Sequence, residues 1–332
     1  MKIGYLGTGA WGFALASLLS AQGHEVISWS IESDLVEILN KTKTHPRLPG
    51  HPAKGNIRFT LHLEEALEGV DLLVESVTSA GFRPVFENVR LVKIPSCPIV
   101  ITSKGIEQDT GLILSDVIFD VLGEELISQV GAISGPSFAS EVVKGLPTSV
   151  VGSGYYPETM KVVCDTFTTD NFRVYPNSDM RGIAYGGALK NVIAIASGAA
   201  EGLELGYSAR AALMTRGLHE MTKMAVAKGC RTETLYGLSG MGDLCLTCSS
   251  ITSRNFKFGY LLAKGMSPEE AQEEVGMVVE GAYTAVSAYE LSQQLQVTMP
   301  ITEMVYQIIN NKMHLRDAVK TLMQREVKEE HL

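Results

Sequence analysis

Lys190 is the residue in this sequence that most invites a chemical explanation. With Asn191 it interrupts a run of apolar and very small residues, Tyr185-Gly186-Gly187-Ala188-Leu189 before it and Val192-Ile193-Ala194-Ile195-Ala196-Ser197-Gly198-Ala199-Ala200 after it. A helix that is apolar around nearly its whole circumference is a buried one, and its Gly and Ala positions let neighbouring backbones approach closely. An ammonium group placed there needs an anionic partner or a proton to move. Desolvation lowers its pKa, so that it can exchange a proton near neutrality. The alternative is a structural lysine that snorkels outward or pairs with a carboxylate.

Two further polar clusters share the second half of the chain. Gly237-Leu238-Ser239-Gly240-Met241-Gly242-Asp243 reads as a flexible loop that delivers a carboxylate, or as a turn that uses Asp243 as a helix cap. Ser253-Arg254-Asn255 sets three hydrogen-bonding side chains in a row, a combination suited to a phosphate; a surface ion pair is the plainer reading of Arg254. Cys245 and Cys248 have CxxC spacing, but no second pair or histidine cluster completes a zinc site, so no metal is expected.

These residues need a scaffold, and the first half of the chain supplies a recognisable one. Residues 2–6 form a β-like run that leads into Gly7-Thr8-Gly9-Ala10-Trp11-Gly12, a helical pattern over 13–22 closed by Gly23, and a second strand over 25–30. In a G-x-G-x-x-G between strand and helix, the three glycines serve in turn the tight bend, close approach of a pyrophosphate, and helix-to-strand packing. The free amides and dipole at the helix start suit dinucleotide phosphates. The second strand ends Trp29-Ser30-Ile31-Glu32, with an acidic residue one place late for the adenosine ribose and no basic residue for a 2′-phosphate, so NAD and NADP both stay open.

Strand patterns over 71–77 (carrying an unexpected Glu75), 98–102, 130–133, 147–152 and 172–175 alternate with helical ones. Such alternation predicts a parallel, doubly wound α/β sheet with ligands beyond the carboxyl ends of its strands. Lys104, Gly135 and Ser137 stand at such ends. From Asp179 helical periodicity takes over, which divides the chain into a dinucleotide-binding domain, 1–178, and an all-α domain, 179–332, with a charged tail at 328–330.

Composition narrows the function classes. The 332 residues carry a formal charge of −9, which argues against nucleic acid as a partner. No stretch approaches the ~20 uninterrupted apolar residues of a membrane span. Five scattered cysteines fit a reduced compartment, and the glycines inside the N-terminal apolar run favour a folded strand and helix over a secretory signal, so a cytoplasmic protein is expected.

The glycine motif, Ser103-Lys104-Gly105, Ile133-Ser134-Gly135-Pro136-Ser137-Phe138-Ala139, Gly186-Gly187-Ala188-Leu189-Lys190-Asn191, Gly240-Met241-Gly242-Asp243-Leu244 and Ser253-Arg254-Asn255 together resemble the bacterial NAD(P)-dependent glycerol-3-phosphate dehydrogenases. Val278-Val279-Glu280-Gly281 and Met299-Pro300-Ile301-Thr302 extend the likeness almost to the C-terminus. The resemblance implies a Rossmann-type domain followed by a helical, 6-phosphogluconate dehydrogenase-like domain that binds substrate and dimerises. It implies reduction of dihydroxyacetone phosphate to sn-glycerol 3-phosphate for glycerophospholipid synthesis by a homodimer. It makes Lys190 the acid–base residue and sets Lys104, Gly135, Ser137, Asp243, Ser253, Arg254 and Asn255 around the phosphorylated substrate. Asp243 would bond a substrate hydroxyl or hold Lys190 in line.

For the coenzyme, the glycine motif offers Gly7, Gly9 and Gly12, and the resemblance implies contacts from Ala10, Trp11, Lys104, Ala139, Arg254, Val278 and Glu280. Three features depart from the family pattern. Ile31 stands where many members carry a basic or His residue, Ala10 replaces a frequent Ser, and Val77-Thr78-Ser79 stands for Val-Pro-Ser beside Glu75. The rival readings are another two-domain reductase of hydroxy compounds, for which the Ser253-Arg254-Asn255 cluster would have little purpose, and a noncatalytic dinucleotide sensor.

Overall fold

Uninterrupted aliphatic runs such as Ile99-Val100-Ile101 have no polar face to offer water, which places them in a sheet covered on both sides. The computed structural model describes every residue except Lys328, His331 and Leu332, so Lys328 of the charged tail lies outside the described residues. It shows eight strands: β1 (Lys2–Leu6), β2 (Glu25–Trp29), β3 (Ile57–Thr60), β4 (Leu72–Glu75), β5 (Ile99–Ile101), β6 (Val130–Ser134), β7 (Thr148–Gly154) and β8 (Phe172–Pro176). Their order is β3-β2-β1-β4-β5-β6-β7-β8. The first six are the 3-2-1-4-5-6 order of a dinucleotide-binding fold.

Two features of the sheet depart from the sequence reading. β3, with its polar Arg58 among four residues, gives too short a pattern to stand out, and β7 runs antiparallel to β6. Leu6 lies opposite both Trp29 and Glu75, so β1, β2 and β4 end at one level and present their following loops together.

The helices of this half are α1 (Ala10–Ala21), α2 (Ser33–Thr42), α3 (Leu63–Leu67), α4 (Ser79–Val92), α5 (Leu114–Leu122), α6 (Ala139–Val142) and α7 (Pro157–Phe167). Phe13, Leu15 and Leu19 of α1 are fully buried with Ile3, Tyr5 and Val74 of the central strands. That packing fixes where α1 begins, and hence where its free amides point.

The remaining helices are α8 (Met180–Gly202), α9 (Gly206–Ala227), α10 (Thr232–Leu235), α11 (Asp243–Cys248), α12 (Arg254–Ala263), α13 (Pro268–Val275), α14 (Glu280–Gln294), α15 (Pro300–Ile309) and α16 (Leu315–Met323). The chain divides into one unit of Met1–Ser103 with Leu114–Met180 and another of Lys104–Ile113 with Arg181–Leu332. A single cut near 178 does not foresee this exchange. Its cause is packing: Ile106 and Ile113 are buried in the same cluster as Tyr185, Leu189 and Leu291.

By length and composition α8 could cross a membrane, yet 89 % of its apolar window is buried inside the protein, as befits a core helix. Its small residues serve close approach. A Cβ on Gly198 would lie 1.9 Å from the Phe256 carbonyl oxygen, and one on Gly259 of α12 would lie 1.9 Å from that of Ile195. The two backbones therefore touch. Elsewhere in this unit the buried Glu220 side chain accepts hydrogen bonds from the amides of Ile301 and Thr302, at 2.7 and 3.1 Å, satisfying the start of α15. Burial pushes its carboxyl up to about 7 despite those donors.

Because the α8–α12 contact has no room for a methyl group, Gly259→Ala is expected to destabilise the protein by ~2–4 kcal/mol, read as a lower midpoint in urea unfolding. An unchanged midpoint would mean that α12 is not seated on α8 as described.

Candidate active site

The helical unit gathers three charges from three distant parts of the sequence. α8 brings Lys190, 7 % exposed; α11 brings Asp243, 2 % exposed, as its first residue; and the segment after β5 brings Lys104. Lys190 Nζ donates to Asp243 Oδ1 at 2.7 Å, and Lys104 Nζ donates to Oδ2 at 2.6 Å. One carboxylate thus serves two ammonium groups. With both lysines protonated the trio carries one net positive charge; with Lys190 neutral it carries none.

Thr247 completes the arrangement and was not singled out by the sequence, where it lies hidden inside the CxxC spacing. One helical turn beyond Asp243, its hydroxyl donates to the Asp243 carbonyl oxygen at 2.7 Å and accepts from Lys190 Nζ at 2.6 Å. An i, i+4 Asp and Thr on one helix face is the signal that would have found it. The run before Asp243 is not the expected flexible loop. Residues Leu238–Gly242 form a widened helical turn, with the Gly242 amide bonded to the Gly237 carbonyl at 3.1 Å.

Burial lowers Lys190 to about 8, with the Lys104 charge adding to the effect and Asp243 opposing it. Burial also resists ionisation of Asp243, but the two neighbouring ammonium groups more than offset this and hold its carboxyl below the usual carboxylate range. The amine is therefore close to balance between its two forms, and the carboxylate remains an acceptor. Burial also pushes the Cys248 thiol, on the same short helix, up to about 12, which keeps it protonated.

A second chain of bonds fixes the surroundings. Asn255 Nδ2 donates to Asn191 Oδ1 at 2.9 Å, and Asn255 Oδ1 accepts from the Gly281 amide at 2.8 Å, tying α8, α12 and α14 together. Asn255 is thus largely committed within the protein. Ser253 caps α12 by accepting from the Phe256 amide at 3.3 Å, which leaves its proton to donate. Arg254 opens that helix and donates to the Val278 carbonyl at 3.0 Å, two residues before Glu280 starts α14.

In the sheet unit the geometry fits a dinucleotide. Gly7 has φ +99°, outside the range of most side chains, and a Cβ on Gly12 would lie 2.1 Å from the Gly7 carbonyl oxygen. Gly9, where a Cβ would meet nothing within 4 Å, precedes α1, and no side chain caps that helix. The amides of Ala10, Trp11 and Gly12 are so placed at an open helix start, as phosphate binding requires. Gly135 and Ala139 flank Ser137 after β6, and the Ser137 hydroxyl donates to the Gly135 carbonyl at 3.1 Å.

The departures at β4 also have structural roles. Glu75, wholly buried, accepts from the Ser103 hydroxyl at 2.7 Å and from the Val77 amide. Thr78 caps α4 by accepting from the Gly81 amide at 3.3 Å, work that a proline could not do.

Comparison with known proteins agrees with both halves. Residues 2–159 match the NAD-dependent glycerol-3-phosphate dehydrogenase N-terminus family, and residues 179–320 match the corresponding C-terminus family. The chain is 60 % identical to a glycerol-3-phosphate dehydrogenase [NAD(P)+] of Protochlamydia amoebophila, across 100 % of this chain and 99 % of that protein. It is 50 % identical to the Chlamydia pneumoniae enzyme of the same name, covering 99 % of each. The crystal structure of glycerol-3-phosphate dehydrogenase from Coxiella burnetii superposes with a TM-score of 0.92 at 37 % identity, covering 98 % of this chain and 99 % of that one.

A reaction that draws a proton from Lys190 should slow as pH rises through about 8, because the ammonium form is the donor and is lost above its pKa. Thr247→Val removes an acceptor from that ammonium and should move the midpoint about one unit lower. The pH profile of turnover in the two proteins checks both statements, and coincident midpoints would remove Thr247 from the arrangement.

Proposed function

The chain belongs to the NAD-dependent glycerol-3-phosphate dehydrogenase family and interconverts dihydroxyacetone phosphate and sn-glycerol 3-phosphate with NAD(P)H, supplying glycerophospholipid synthesis; we propose that Lys190 is its acid–base residue. The observation that carries this assignment is the buried Lys190 amine 2.7 Å from Asp243, with Lys104 on the other oxygen of the same carboxylate.

The nicotinamide coenzyme supplies hydride to the carbonyl carbon when bound. Lys190, as ammonium, gives its proton to the oxygen of that carbonyl as negative charge develops there. In the oxidative direction the neutral amine takes the hydroxyl proton. Positioned proton transfer of this kind contributes roughly 10²–10⁴ in rate.

Asp243 acts in this reading by holding Lys190 in line, the second of the roles open to it in the sequence. Because Lys104 shares the carboxylate, loss of the Lys190 proton leaves Asp243 still paired with one cation, which avoids an uncompensated buried charge. Arg254 and Ser253 anchor the substrate phosphate, with Asn255 chiefly supporting them through Asn191. Lys104, Gly135 and Ser137 complete the substrate contacts. Gly7, Gly9, Ala10, Trp11 and Gly12 hold the coenzyme phosphates, with Lys104, Ala139, Arg254, Val278 and Glu280 as its further contacts. Remote phosphate binding orients the reacting carbon. The family resemblance also supports a cytoplasmic homodimer in which the second domain binds substrate and dimerises.

Lys190→Ala is expected to abolish reduction of dihydroxyacetone phosphate while coenzyme affinity stays within about threefold of the parent, since only the proton donor is removed. Near-normal turnover would reject the assignment. Arg254→Ala should raise KM for dihydroxyacetone phosphate by about 10-fold or more in steady-state assays, the loss of a charge-assisted phosphate contact. If KM were unchanged, the phosphate would be held elsewhere.

A further inference from the structure

The end of the dinucleotide site that would receive adenosine has a charge pattern of its own. β2 stops at Trp29 and is followed by Ser30, buried, then Ile31, 80 % exposed, and Glu32, also exposed. Glu32 occupies the N-cap of α2, and its backbone amide donates to the Ser30 hydroxyl at 3.2 Å. Its carboxylate makes no capping bond and has no hydrogen-bond or ion-pair partner among the described residues. Asp34 puts a second carboxylate in the same first turn.

Two of the cations beside the neighbouring strand β3 already have partners. Arg58 pairs with Glu65 at 2.5 Å, and Lys43 donates to the Ile57 carbonyl at 3.0 Å. Beyond β3, Thr60 uses its hydroxyl to accept the His62 amide at 3.1 Å. The positive dipole end of α2 would attract an anion, but Glu32 and Asp34 already answer it.

Resting on the dinucleotide reading above, we infer that this chain selects NAD(H) over NADP(H), and that Glu32 is the residue that decides. The free carboxylate accepts hydrogen bonds from the adenosine ribose hydroxyls, which only a coenzyme without a 2′-phosphate offers as a pair. A 2′-phosphate, carrying roughly two negative charges, meets Glu32 and Asp34 with the aliphatic Ile31 between strand and cap, and the run from Ser30 to Val36 contains no Lys or Arg. Glu32, one place late for the strand end, stands instead at the N-cap of α2.

Both tryptophans of the chain, Trp11 and Trp29, lie in the sheet unit, so quenching of intrinsic fluorescence reads binding without turnover. Titration of the full-length protein with NADH and with NADPH should show NADH bound more tightly by about tenfold or more, equivalent to about 1.4 kcal/mol. Glu32→Ala should bring that ratio below about threefold, and the double substitution Ile31→Arg, Glu32→Ser should reverse it. NADPH binding as tightly as NADH to the unsubstituted protein would overturn the inference, as would an unchanged ratio in Glu32→Ala. Failure to bind either coenzyme would overturn it together with the dinucleotide reading. Clear NADH selectivity without reduction of dihydroxyacetone phosphate would uphold it and remove the proposed substrate.

Discussion

A carboxylate removed from water and shared between two lysines sets the terms for the helical unit. Asp243 alone would resist ionisation at 2 % exposure, and Lys190 alone would resist protonation. Together with Lys104 they form a set in which every charge has a partner. The third charge gives the set its use, because the carboxylate is never left unpaired when Lys190 gives up a proton. Burial supplies the rest by drawing the amine down to about 8, where both of its forms are populated near neutrality.

Such an arrangement needs stiff surroundings, and the packing of α8 provides them. Backbone contact at Gly198 and Gly259 clamps α8 against α12, while the Asn191–Asn255–Gly281 bonds add a polar tie one residue from Lys190. The same economy of small residues operates in the sheet unit. There the Gly7–Gly12 contact lets α1 start directly against β1, so the helix amides stand free for phosphate. In both units glycine is used where another atom would separate two backbones that must touch.

Much of this was legible in the sequence because it depends on local pattern. Aliphatic runs covered on both faces mark the central strands, and a lysine in an apolar helix announces a buried charge. What escaped depends on contacts distant in the chain. The partnership of Lys104 with Asp243 spans 139 residues, and the transfer of Lys104–Ile113 to the helical unit follows from where Ile106 and Ile113 find a core. The reversal of β7 is a matter of pairing, which no local pattern encodes. Glycines give the run before Asp243 the look of a loop. It is instead a close-packed helical turn, in which a Cβ on Gly240 would lie 2.0 Å from the Leu235 carbonyl oxygen.

The central claim is that a buried amine, balanced by a shared carboxylate, is poised to exchange a proton. An NMR titration of the lysine side-chain signals, with Lys190 assigned by its loss in Lys190→Ala, tests this without any assumption about the reaction. A midpoint near 8 for that one lysine is the predicted result. A midpoint at the ordinary lysine value of about 10.4 would contradict the account.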